Sequence, residues 1–442
     1  MGGYAVEEDA HTGELTIDDS FLGRSRGAAA GTRVLRDRGR CARVFWVKMR
    51  VGVYIQVPFC QTKCTYCNFH TGVVSSARFA PYVQAVCQEI REHRELLGAA
   101  GVKWPVQKAG GTASDEAAVD TVYIGGGTPS LLEAQGVQNL LDAIRASFRA
   151  ELAEVTLEAD PETIEAGKAT AWARAGINRV SFGLQSFSDK ELIAAGRMHR
   201  RADIYRAAPI LREAGIRNIS VDLIAGLPHQ TKESWEESLE ELESLAPEHV
   251  SVYLLEIDEG SRLGREVLQG GARYSAGALP SEDEMADFYE MAQDALRRMG
   301  YHHYEISNWA KPGYESKHNL KYWRREPYLG FGAGAHSFSG GERWANAHDP
   351  AAYVNALEGG RLPVEQHEKV TSEQALEEEF FLGLRQLDGI DLARIEQKYG
   401  VKLSAKFDSL ASAGLIQREG SVVRLAPGRL SVSNEVFVEL MR

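Results

Sequence analysis

Six short β-rich runs, each followed by a stretch of helical pattern, constrain this chain more than any other feature. They read VGVYIQVPF from Val51, TVYIGGG from Thr121, EVTLEAD from Glu154, RVSFGLQSF from Arg179, NISVDLIAGLP from Asn218 and HVSVYLLEI from His249. Between them, segments such as GVQNLLDAIRASF and KESWEESLEELESL carry apolar residues at helical spacing. Parallel strands need a crossover of a dozen or more residues, usually a helix, so this alternation predicts parallel βα units. Six units suit a partial or complete barrel rather than a sandwich. The expected fold class is α/β, a partial (β/α)6 barrel over residues 49–340. Residues 341–442 are expected to form a smaller domain, helical and then a short hairpin near Gly420, similar to a winged-helix module and serving as a lid or docking domain. Residues 1–48 mix Gly, Ala and Arg with little periodicity and are read as a disordered or spurious extension, with Met49 as the expected natural start. KWPVQKAGGTASDEAAVD, 103–120, interrupts the rhythm as a variable loop.

In a parallel βα barrel the ligand site lies where the strands end and the loops emerge. The unusual residues sit at such ends. Cys60 follows the first strand, Gly125 to Pro129 close the second, and Glu158 ends the third. Gln185 ends the fourth, and Asp222 lies near the end of the fifth. Singly, Glu158 and Asp222 could be helix caps or loop ion pairs, Gln185 could satisfy buried backbone, and Arg197 could be solvated. Together they describe a ring of groups around one ligand. The consecutive glycines also permit close approach of backbone to it.

The stretch VYIQVPFCQTKCTYCNFH brings Cys60, Cys64 and Cys67 within eight residues. Three thiols this close indicate a metal, but most thiolate sites take four ligands, and the position two past Cys67 is Phe69. Two readings stand. One is a structural zinc completed by His70. The other is a [4Fe-4S] cluster held at three irons, its fourth free to bind a small chelating molecule.

The spacing Cys60-x3-Cys64-x2-Cys67, with Tyr66 just before the last cysteine, resembles the signature of the radical S-adenosylmethionine (SAM) superfamily. The resemblance implies a radical SAM barrel with a HemN-type C-terminal domain and a [4Fe-4S] cluster. It also implies SAM bound through its amine and carboxylate to the open iron, and an electron that cleaves the sulfonium to a 5′-deoxyadenosyl radical. From about Gly52 onward the match narrows to the branch of oxygen-independent coproporphyrinogen III oxidases and haem chaperones. By that resemblance Tyr54 lies beside the methionyl group and Gly126, Gly127 and Thr128 border the cofactor. Glu158, Gln185, Arg197 and Asp222 then surround its amine, carboxylate and ribose.

Within the branch, the oxidase pattern has a further cysteine where this chain has Phe69, and nothing in residues 1–48 resembles the oxidase's N-terminal segment. Residues 304–338 resemble the chaperone pattern, including His318-Asn319-x-x-Tyr322-Trp323, a motif associated there with haem. An imidazole can ligate haem iron, and Tyr and Trp can pack on a porphyrin. The same residues also suit a loop histidine among aromatic core neighbours. His336 is a second candidate ligand. The reading is a haem chaperone with cluster, SAM and haem, delivering haem to acceptor haemoproteins. The alternatives are an oxidase that decarboxylates coproporphyrinogen III to protoporphyrinogen IX, and a plain metal-binding scaffold. Resemblance further implies homodimerisation, association with membrane respiratory enzymes, and a reductant such as a flavodoxin or ferredoxin.

The net charge of −12 argues against nucleic acid as the main partner. No apolar run approaches the roughly 20 residues of a membrane span, and the acidic, polar opening carries no secretory signal. Five cysteines, three of them clustered, fit a reducing compartment, so the expected location is cytoplasmic; the resemblance to the haem-chaperone branch adds peripheral membrane association.

Overall fold

In the computed structural model, the described residues are 7–8, 15–16, 50–99, 101–102 and 118–441. The expectation for residues 1–48 lies outside them, apart from a two-residue antiparallel pairing of Glu7–Glu8 with Leu15–Thr16. Most of the 103–120 loop lies outside them as well.

The six expected strands form, as β1 (Arg50–Val57), β2 (Ala118–Gly126), β3 (Arg149–Ala159), β4 (Arg179–Gln185), β5 (Asn218–Ala225) and β6 (His249–Leu254). They lie side by side in chain order and all run parallel. Sequential order is what successive right-handed crossovers in one direction produce, and it curls the sheet as a barrel wall. Helices α1 (Phe79–Ala99), α2 (Ala134–Ser147), α3 (Ala166–Ala175), α4 (Arg201–Glu213), α5 (Lys232–Leu245) and α6 (Glu282–Arg298) cross between strands or follow them. The fully buried apolar residues Ile55, Ile124, Leu157, Val180, Val221 and Val250 meet buried helix residues such as Ile144, Trp172 and Trp235 in one core.

The other face of the strands is polar. Tyr123 pairs in register with Tyr54 and Thr156, Thr156 with Arg179, Glu158 with Ser181, and Ser251 with Asp222. With a side-chain period of two, these residues project to the barrel interior while their apolar neighbours project to the helices.

The sheet does not stop at six strands. Beyond β6 it adds β8 (Asn308–Ala310) and β7 (His302–Glu305), both antiparallel. Beyond β1 it adds β9 (Tyr328–Phe331), which is parallel, then β10 (His336–Phe338), β11 (Glu342–Asn346) and β12 (Val364–Lys369). The expected domain boundary near residue 340 therefore falls inside a continuous sheet that runs to Lys369. After it come helix α9 (Ser372–Gly383), following α8 (Pro350–Glu358), then two short helices, a three-stranded sheet and a last helix.

One short helix, α7 (Lys317–Trp323), closes the barrel below. Its N-terminal amides at Lys317 and His318 donate to the Glu154 carboxylate, at 3.0 Å each. Lys321 pairs with Asp120 at 2.9 Å. A Cβ on Gly52 would lie 3.0 Å from Lys321 and 3.1 Å from His318, so β1 has no side chain where the helix docks.

Candidate cofactor cavity

The loop after β1 carries the three cysteines, and its short pairing of Phe59–Cys60 with Gly72–Val73 returns the chain beside them. It is anchored to two other segments. Thr65 N–H donates to the Ala195 carbonyl at 2.9 Å, and the Thr65 carbonyl accepts from Leu263 N–H at 2.8 Å. Tyr66 packs into a satellite apolar cluster around Ile224, Leu227 and Leu255. This packing turns all three thiols, each half-buried, onto the wall of a cavity of about 490 Å³ at the C-terminal ends of the strands. Burial raises the Cys60 and Cys67 thiols above their ordinary range. They stay protonated until a metal displaces the proton, the usual coupling of thiolate ligation to proton release.

Tyr66, Gly126, Gly127, Thr128, Glu158, Gln185, Arg197 and Asp222 line the same cavity. The glycine turn is tied to the cysteine strand: Gly127 N–H donates to the Val57 carbonyl at 2.8 Å and Thr128 N–H to the Phe59 carbonyl at 2.7 Å. A Cβ on Gly127 would lie 2.5 Å from the Phe59 carbonyl oxygen, and Gly126 has φ +112°. Only glycine fits this turn.

Glu158 accepts from Gly126 N–H and Tyr123 O–H, both at 2.8 Å. Burial nonetheless pushes its carboxyl up to about 7. Burial also raises Asp222 to about 6, against the hydroxyls of Ser251 and Ser181 and the charge of Arg179. These two carboxyls can accept a hydroxyl donor and titrate near neutrality as they do so.

Gln185 sits at φ +68°, past a bulge between β4 and β5, which aims it back over Gly183. Arg197 donates to the Gly183 carbonyl at 2.8 Å, to Cys64 Sγ at 3.4 Å, and to Asp160. Burial lowers its affinity for the proton, but Asp160 beside it more than reverses this, so the guanidinium is a fixed cation next to a thiol. Asp160 also accepts from Thr128 Oγ1 at 3.1 Å. It is a site residue that sequence reasoning passed over, and it stands just past the end of β3. Arg179 was missed in the same way. It is 2% exposed, lines the cavity, and its Nε has no hydrogen-bond partner.

Two predicted residues stand elsewhere. Tyr54 does not line the cavity; its hydroxyl donates to Gln56 at 2.6 Å and its ring stacks behind Tyr123 at 6.1 Å. His318 is 1% exposed at the docking face of α7. Its Nδ1 meets Thr121 Oγ1 at 3.0 Å, its Nε2 meets the Tyr322 hydroxyl at 2.9 Å, and burial lowers it to about 3. Both ring nitrogens are engaged, so the expected axial ligation by His318 has no open nitrogen in this arrangement. Trp323 packs under Arg385, 4.5 Å from guanidinium to ring. The HNxxYW stretch is thus the hydrogen-bonded plug of the barrel, with Asn319 alone reaching the cavity.

The donor set fits an iron–sulfur cluster with a chelating cofactor. Three soft thiolates face one space, the glycine turn gives backbone access, and Arg179 and Arg197 each keep a buried Nε with no partner. For a single zinc ion the fit is poor. Among the described residues no three His, Cys, Asp or Glu side chains converge on one ion's position, and the exposed His70 packs against His348. A zinc site gathers its ligands around one point, whereas a cubane takes each thiolate at a different iron.

Comparison with known proteins agrees. Residues 54–242 match the radical SAM superfamily model and residues 370–428 the HemN C-terminal domain. Heme chaperone HemW of Bacillus subtilis is 37% identical over 390 residues, spanning 87% of this chain and 97% of that protein. HemW of Lactococcus lactis is 32% identical, spanning 88% and 96%. The structure of coproporphyrinogen III oxidase HemN from Escherichia coli superposes with a TM-score of 0.73 at 22% identity, covering 89% of this chain and 90% of that one. That likeness establishes the fold. The extent of the HemW matches establishes more: this chain belongs to the HemW family of the radical SAM superfamily.

Proposed function

We propose that this protein is a cytoplasmic haem chaperone that holds a [4Fe-4S] cluster and SAM in the cavity, binds haem, and passes it to acceptor haemoproteins. One observation carries the reading: three thiols and a ring of strand-end polar groups share a single cavity in a chain of the HemW family. Bound together, the cluster and SAM supply one-electron chemistry at the sulfonium.

The chain's own residues do the rest. Cys60, Cys64 and Cys67 hold the cluster, and the Arg197 cation beside Cys64 stabilises thiolate charge there. The Gly126–Gly127–Thr128 turn offers backbone to the methionyl amine and carboxylate, while Glu158 and Asp222 accept from ribose hydroxyls or the amine. Gln185 and Tyr66 close the sides, and Tyr54 supports the wall through Tyr123. A reductant such as a flavodoxin or ferredoxin, a membrane respiratory enzyme as acceptor, and homodimerisation complete the proposal. No helix among the described residues is long and apolar enough to cross a membrane, so contact with such an acceptor would be peripheral.

Three measurements test it. Anaerobic reconstitution is expected to give iron and sulfide in cubane proportion and to fail when any one of the three cysteines is replaced by Ala. Haem-loaded protein is expected to activate an apo-haemoprotein acceptor. Incubation with coproporphyrinogen III, SAM and reductant is expected to yield no vinyl product; turnover there would replace this reading with the oxidase.

A further inference from the structure

A buried cation is costly to a fold unless a counter-ion or a set of acceptors answers its charge. Lys321, Arg197 and Arg325 follow that rule, with Asp120, Asp160 and Glu378 set against them. Arg179 does not. It is buried at the start of β4, and among the described residues no hydrogen bond and no ion pair engages its guanidinium. Its side chain lines the cofactor cavity instead.

Nothing around it supplies a lasting negative charge. Among the groups its field reaches, burial keeps Tyr123 and Tyr304 protonated and His249 and His318 neutral. The cavity carboxyls Glu158 and Asp222 are pushed up by burial, to about 7 and about 6, and neither pairs with it. The other cavity guanidinium stands apart. Arg197 meets the carbonyl of Gly183, four residues further along β4 and so roughly 13 Å up the strand. Arg197 also contacts Cys64, which makes it the cation of the thiol end. Arg179 is the cation of the deep end, with the Ser181 hydroxyl two residues on along the same face.

A guanidinium recognises carboxylate and phosphate alike through its planar fork. Glu158 and Asp222 share the cavity, and a phosphate dianion would set twice the charge of a carboxylate beside them. The carboxylate is the better match. We propose that Arg179 binds the carboxylate of a second ligand, one that enters the cavity beneath SAM. This rests on the cofactor reading above, in which SAM takes the thiol end and leaves this cation free. Two sources offer the same group: a propionate side chain of the haem to be carried, and a free small carboxylic acid. In both cases the fork fixes the acid end of the ligand and thereby selects which molecules the deep end accepts.

Titration of the full, cluster-reconstituted chain in the presence of SAM tests the proposal, with propionate, haem and haem dimethyl ester as probes. Haem or propionate is expected to bind Arg179→Met about tenfold or more weakly than the wild type, with Arg179→Lys in between. If a haem propionate is the source, the dimethyl ester binds the wild type as weakly as haem binds Arg179→Met. If a small acid is the source, propionate raises the melting temperature of the wild type over matched chloride, and not that of Arg179→Met. SAM affinity should be equal in all three proteins, which also reports that the variants fold; a parallel loss of SAM affinity would overturn the assignment. Without ligand, Arg179→Met should melt no lower than the wild type, because it removes an unanswered charge; a lower melting temperature would make Arg179 a structural cation and overturn the proposal. Haem bound equally by wild type and Arg179→Met, with no response to propionate, overturns this inference and leaves the haem-carrier reading intact. Failure of the wild type to bind haem overturns the carrier reading, whereas propionate binding lost in Arg179→Met would still uphold the role of Arg179.

Discussion

Cys64 shows how much of this site depends on single contacts. Its sulfur receives a guanidinium hydrogen that Asp160 holds in place, and Asp160 in turn is held by the hydroxyl of Thr128. The same economy governs the glycines. Gly127 faces the Phe59 carbonyl, and the clash a methyl would make there is with backbone that cannot rotate away. Gly127→Ala is expected to cost on the order of 2 kcal/mol, seen as a lower denaturant midpoint. Gly136, in the first turn of α2, would place its Cβ at an ordinary 3.7 Å from Val83. Gly136→Ala is expected to stabilise by roughly 0.5–1 kcal/mol. A chemical-denaturation comparison of the two checks the argument. The three cysteines, the glycine turn and Glu158 were legible from sequence because each lies at a strand end marked by an apolar run. Arg179 and Tyr123 were not, because nothing local distinguishes a cavity-facing strand residue from an ordinary one, and Asp160, just past the end of β3, reads equally as the start of the next turn.

Helix α7 is too short to be stable alone, so its seven residues depend on what they dock against. Glu154 caps its N-terminus, Asp120 pairs with Lys321, and His318 bonds both to Thr121 and, within the helix, to Tyr322. His318→Leu removes both ring bonds and leaves the Thr121 and Tyr322 hydroxyls without them. The expected cost is about 2–3 kcal/mol. The acid limb carries a sharper signature. The ring's proton affinity falls from an ordinary 6.5 to about 3 on folding, so the folded state binds fewer protons. The stability this ring contributes is present above pH 6.5 and is lost as pH falls toward 3. A pH series of unfolding free energies should therefore show a shallower acid limb in His318→Leu than in the wild type. An equal slope in both would place the proton elsewhere.

Two buried electrostatic arrangements tie together segments far apart among the described residues. Glu305, 0% exposed, accepts two hydrogen bonds from Arg385, at 2.9 and 2.7 Å, and so joins β7 to the segment after α9. Arg385→Met leaves that carboxylate buried and unpaired. The expected loss is about 3–5 kcal/mol, and Glu305→Gln in the same chain should recover part of it, as a double-mutant cycle would report. Glu89 is the second. It lies on α1 and accepts from Gly332 N–H at 2.9 Å, Asn346 Nδ2 at 2.7 Å and Tyr353 O–H at 2.5 Å. Burial raises it to about 7 despite these donors. A carboxyl raised on folding contributes stability that is full below about pH 4.5 and is lost as pH rises through 7. Melting temperature should thus fall between pH 5.5 and 8, and fall less in Glu89→Gln.

By itself the sequence determined the six parallel strands, the helical crossovers, the thiol loop and the ring of polar groups at strand ends. Those features are written in local spacing: a period of two in strands, a period near 3.6 in helices, and cysteines a few residues apart. Tertiary structure alone decided that the sheet continues through β9–β12, that His318 is a buried plug, and that His70 packs against His348. Each of these depends on contacts between segments far apart in the chain, where the distance between two side chains follows from packing and not from their separation in sequence.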